Sequence, residues 1–122
     1  HVLLWSALEP QKLTPPQRQG LEDSRNTLLV SAATAWEIAT KWRIGKLDQA
    51  QAVVENYPLV LNTLAALELP ITGSVARQAG LLEVPHRDPS DRLLAAQALD
   101  GALVLVSSDP AFRLFSGVEL LS

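Results

Sequence analysis

Short apolar runs alternate with stretches of helical spacing along this chain, a pattern that predicts an α/β fold. Residues 26–31 (NTLLVS) and 102–107 (ALVLVS) read as buried strands. Their near-continuous apolar character suits a parallel sheet covered on both faces. Residues 68–72 (ELPIT) and 117–121 (GVELL) read as shorter strands, and residues 2–8 as either the end of a strand or the start of a helix. Thr14 followed by Pro15 has the form of an N-cap and first helical position, opening a helix over 14–23. A second helix is expected over 33–44, closed by Gly45. Residues 49–67 read as helical with a break at Pro58, and 73–82 as a further helix. Residues 83–88 (EVPHRD) read as a loop, leading to a helix over 89–100 capped by Asp88. Asp109 and Pro110 begin one more helical turn. No repeat or linker interrupts the pattern, and 122 residues suit a single domain over 1–122.

Composition narrows the class. Hydrophobic residues make up 48% and charged residues 19%, a globular balance. There is no cysteine, which removes disulfides and thiolate metal sites and fits a cytoplasmic protein. No apolar run approaches the roughly 18–20 residues a membrane span needs, and no signal-peptide pattern opens the chain. The net charge is −3. A nucleic-acid partner must therefore meet a local basic patch, or cations must offset the acids.

In open parallel sheets, sites form beyond the carboxyl ends of the strands. Glu37 follows the 26–31 strand, Asp91 lies in the first turn of the 89–100 helix, and Asp109 follows the 102–107 strand. Clustered carboxylates repel unless a cation joins them, and hard oxygen donors favour Mg²⁺ or Mn²⁺. Such an ion can activate water at a phosphodiester. Each acid also has an ordinary reading. Glu37 stands at capping-box spacing from Thr34 and four residues before Lys41, and Asp88 and Asp109 precede prolines as N-caps. Asp91 differs, because helical spacing puts it on the apolar face with Leu94, Ala95 and Ala98, where a carboxylate needs a partner.

Five segments then stand out together: HVLLW (1–5), SAATAWEIATK (31–41), GKL (45–47), HRDPSDRLLAAQA (86–98) and VLVSSDPAF (104–112). In order and spacing they resemble PIN-domain toxins of the VapC type, the ribonuclease partners of type II toxin–antitoxin pairs. The resemblance implies a three-layer α/β/α fold with a central parallel sheet of four or five strands. It implies an acidic site binding Mg²⁺ or Mn²⁺ and cleaving RNA. Glu37 matches the family's second acid, Asp91 the third and principal ligand, and Asp109 the fourth; Asp88 belongs to the same block as Asp91. The family's first acid sits in a strand directly before HVLLW, so the first strand is expected to be truncated in this sequence. A cognate antitoxin and a homodimer are the implied protein partners, in a soluble setting without a membrane.

Other residues fill in this picture. Arg87 and Arg92 flank the acids of the HRDP block, and Lys41 follows Glu37, making these three the phosphate-contact candidates. His86 reads as shaping the loop beside the site, and His1 as a terminal residue with no metal-binding spacing. Trp5, Trp36 and Trp42 read as packing residues more readily than base-stacking ones. A catalytically inactive PIN-fold module that binds RNA or an antitoxin is the alternative. A phosphoacceptor domain ranks lower, since no lysine follows Lys46 to hold a phosphoryl group. Nucleotide-loop and serine-hydrolase motifs are absent.

Overall fold

The computed structural model describes residues 2–122 of the chain, so the reading of His1 lies outside the described residues. The chain divides into two compact units, His1–Pro70 and Ile71–Ser122.

In the first unit, the apolar 2–8 segment is a helix, α1 (Val2–Leu8), which buries Leu3 and Leu4. Helix α2 (Pro15–Glu22) starts where Thr14 and Pro15 indicate. The Thr14 hydroxyl accepts from the Gln17 backbone N–H at 3.3 Å, and the Gln17 side chain accepts from the Thr14 N–H at 3.2 Å. That reciprocal box satisfies two of the helix's orphan donors. Strand β1 (Leu28–Ser31) runs into α3 (Ala32–Arg43), whose N-cap is Ser31, the hydroxyl accepting from Ala33 N–H at 3.0 Å. Gly45 closes α3 at φ +79°, the left-handed conformation of a C′ glycine. Two short helices, α4 (Gln51–Glu55) and α5 (Tyr57–Thr63), fill the next stretch. The break falls at Asn56, before Pro58, because proline's missing N–H is tolerated in a first turn. Strand β2 (Ala66–Leu69) pairs parallel with β1, Leu28 opposite Ala66.

Leu3, Leu4, Ile38, Leu47, Ala50 and Val53 form the core of this unit. Tyr57 packs against it, and its buried hydroxyl finds no hydrogen-bond partner among the described residues. Burial, with the Glu68 carboxylate adding to it, pushes the phenol pKa above its ordinary 10.0. The stability linked to the neutral phenol is therefore complete below pH 10.0 and declines as pH rises through the higher folded-state value. Tyr57→Phe removes an unpaired polar atom and should stabilise the fold by about 1 kcal/mol. Urea unfolding at neutral pH checks the sign, and the alkaline decline should flatten in the variant.

In the second unit, α6 (Gly73–Leu81) is capped by the Thr72 hydroxyl, 3.2 Å from the Val75 N–H. A loop leads to α7 (Pro89–Gly101), capped by Asp88. Ala102, in the left-handed region at φ 50°, ends α7, and β3 (Val104–Val106) follows. A 3₁₀ segment over Pro110–Leu114 connects β3 to β4 (Glu119–Leu121), its parallel neighbour. Two clusters make the core here, one of Val75, Ala79 and Ala96, the other of Ala95, Phe112 and Phe115.

The fold is thus α/β, and all described strand pairing is parallel, as expected. Among the described residues the strands form two parallel pairs, β1 with β2 in the first unit and β3 with β4 in the second. Each strand has only three or four residues, below the usual five or six, so each ladder carries few bonds.

Candidate active site

The second unit holds three of the four sequence-derived acids. The loop between α6 and α7 ends at Asp88, whose Oδ1 accepts from the Asp91 N–H at 3.0 Å. Asp91 itself is the third residue of α7, inside the first turn where the helix dipole favours an anion. It lies on the face of α7 that carries Ala95 and Ala98, both buried. Only 15% of its side chain is exposed. A carboxylate so enclosed needs a partner, and His86 is one, its Nε2 2.7 Å from Asp91 Oδ2. With the carboxylate ionised, the imidazole N–H donates, which places the proton on Nε2. The His86 ring also meets Phe115 edge to face, centroids 5.8 Å apart at 88°. His86 therefore contacts Asp91 directly, a closer role than the sequence indicated. The five-residue gap across an N-cap gives no helical spacing from which to foresee it.

Asp109 is exposed and follows β3, as the pattern indicated. Its Oδ1 accepts from the Ala111 N–H at 2.9 Å, capping the 3₁₀ segment. Asp88 and Asp109 are therefore both structural caps whatever else they do. Asp88→Ala should lower stability by about 1 kcal/mol, whereas Asp88→Asn keeps an equally good cap and should leave it unchanged. Comparing the two variants by denaturant unfolding separates capping from any loss of activity.

Glu37 belongs to the first unit, in the second turn of α3. Ser31 caps that helix, so Thr34 and Glu37 do not form the capping box their spacing allows. Glu37 Oε1 instead lies 2.8 Å from Lys41 Nζ, with the two side chains 24% and 37% exposed. An i, i+4 pair this accessible contributes about 0.5 kcal/mol.

The basic candidates divide sharply. Arg87 is exposed on the loop. The Arg92 guanidinium faces the protein backbone instead. Its Nε donates to Ala79 O at 3.0 Å, and its Nη1 to Val84 O and His86 O, each at 3.0 Å. Its Nη2 donates to Leu82 O and, at 3.4 Å, to Gly80 O. Of the tryptophans, Trp42 packs against the first core and Trp36 is 59% exposed.

The donors suit a hard cation: Asp88, Asp91, Asp109 and Glu37 offer only carboxylate oxygen. Among the described residues, however, no three His, Cys, Asp or Glu side chains stand close enough to hold a metal ion together. The donor chemistry fits Mg²⁺ or Mn²⁺. No helix among these residues is long and apolar enough to cross a membrane.

Comparison with known proteins agrees with the local words. Over 38 residues, 31% of this chain, the sequence is 45% identical to "Ribonuclease VapC16" of Mycobacterium tuberculosis (strain ATCC 25618 / H37Rv). The matched stretch spans 27% of that protein's length. No solved structure matches. The PIN-domain family model matches residues 1–118, a span that covers the first compact unit and the second as far as residue 118. With its parallel strands and flanking helices, this chain belongs to the PIN-domain family.

Proposed function

We propose that the chain is a divalent-metal-dependent endoribonuclease, the toxin of a type II toxin–antitoxin pair, folded as a single PIN domain. The observation that carries this reading is Asp91, a mostly enclosed carboxylate in the first turn of α7, in a chain of the PIN family. Asp91 would be the principal ligand of a Mg²⁺ or Mn²⁺ ion, with Asp109, Glu37 and Asp88 as further acids. When bound, the ion supplies an activated water and charge stabilisation at the scissile phosphate. The chain's own residues orient the acids: the α7 N-terminus and His86 hold Asp91, and the turn after β3 presents Asp109. Arg87, exposed beside Asp88, is the favoured phosphate contact, and Lys41 a second. Arg92 acts through the backbone.

A cognate antitoxin, a homodimer and a cytoplasmic setting belong to the same reading. The alternative is a PIN-fold module that binds RNA or an antitoxin without cleaving. The full-length protein incubated with a broad RNA panel decides between them. Cleavage supported by Mg²⁺ or Mn²⁺ and abolished by EDTA is the expected outcome. RNA bound but left intact in either metal would favour the binding module.

A further inference from the structure

We propose that Arg92 is the positioning residue of this site: it gathers the last carbonyls of α6 and those of the following loop, and so fixes His86 where its imidazole orients Asp91. The consequence for cleavage rests on the nuclease reading above, whereas the geometry stands without it.

Helix α6 has no basic residue in its last turn, so its terminal carbonyls lack a local cation. Arg92 supplies one from α7, bonding Ala79 O at the helix end and Leu82 O just beyond it. The same guanidinium continues along the loop to Val84 O and His86 O. Residues 82–88 have no helix or strand of their own, and Arg92 reaches back six to ten residues to hold them. His86 is then tied twice, its backbone carbonyl to Arg92 and its ring to Asp91, with Phe115 packed edge-on against the imidazole. Because Arg92 directly follows Asp91 on α7, the two tethers close a small ring of interactions. The acid's orientation and the loop's path are therefore one structure. A lysine cannot replace this, since its donors radiate from a single nitrogen while a guanidinium presents five in a planar fork.

The test uses the full-length chain, nitrogen-15 labelled, at one fixed neutral pH without metal. Long-range imidazole nitrogen–proton correlations report the His86 Nε2–H, assigned by its disappearance in His86→Ala. In Arg92→Lys the His86 ring signals should move to the positions seen in Asp91→Asn, where the charged acceptor is gone. In cleavage assays, Arg92→Lys and His86→Ala should each lower kcat by about 10- to 100-fold, the range found for groups that orient metal ligands, with KM unchanged. The double variant should fall no further than the lower single one, because both act through the same contact. A folded Arg92→Lys protein with wild-type ring signals, or losses that multiply in the double variant, would overturn the proposal. Should Arg92→Lys fail to fold, the wild-type Arg92 Nε–H answers the question. It should exchange far more slowly than that of the surface residue Arg25, and equal rates would overturn the proposal. Ring signals that move as expected in a protein that cleaves no RNA would leave the positioning role standing and remove the nuclease reading.

Discussion

Arg92→Ala should destabilise the protein by about 3 kcal/mol, as expected when several hydrogen bonds to a charged group are lost and buried carbonyls are left unmet. The individual bonds do not sum. Gly80 is exposed, and water can replace the guanidinium at its carbonyl. The carbonyls of Val84 and His86 belong to half-buried residues, and the loop must shift to hydrate them. Leu82 and Val84 also pack against the core of the second unit, so a loop that moves disturbs apolar contacts too. Arg25→Ala is the control. Arg25 pairs with Asp23 at 2.8 Å on the surface, and the pair raises the arginine's pKa and lowers the aspartate's. An accessible pair of this kind is screened by solvent, so its removal should leave the urea midpoint in place. Equal midpoints for Arg92→Ala and Arg25→Ala would contradict the structural role given to Arg92.

Local backbone signals were the most legible part of the sequence. Thr14–Pro15, Asp88–Pro89 and Asp109–Pro110 each start a helical segment where the cap and proline indicate. Gly45 ends α3 because a left-handed residue is needed there. The enclosure of Asp91 could also be read in advance, because Ala95 and Ala98 on its face have no reason to point at solvent. Less of the strand register was legible. The 68–72 strand lies two residues earlier, at Ala66–Leu69, since Pro70 cannot donate to a ladder and the left-handed Ala65 restarts the chain just before it. The 102–107 strand shrinks to Val104–Val106 because Ala102 is taken up in closing α7.

What the sequence hid were contacts between segments. Arg92 beside an acidic block looks like a phosphate contact, yet five backbone carbonyls engage its guanidinium. A partial signal existed: α6 ends without a basic residue, and a cation from elsewhere was needed. His86 is similar, since a lone histidine carries no spacing information, and its contacts with Asp91 and Phe115 arise only when the loop is folded. Glu37 shows the opposite case, its ordinary i, i+4 pairing with Lys41 being present in full. An ion pair and a metal-ligand role are compatible, so Glu37 contributes less to the functional reading than Asp91 does.

Asp91→Asn should retain the fold and lose cleavage by more than about 100-fold, beyond the 10- to 100-fold usual for groups that only orient a metal's ligands. The amide is nearly isosteric, keeps the Asp91 N–H bond to Asp88, and can still accept from His86 through its oxygen. It cannot supply the negative charge a divalent ion requires. The decisive measurement is single-turnover RNA cleavage by full-length wild type and Asp91→Asn, purified identically, in saturating Mn²⁺ with an EDTA control. Metal-dependent cleavage by the wild type, with the variant folded and at least about 100-fold slower, is the result this account predicts. Cleavage at the same rate by both proteins would contradict it.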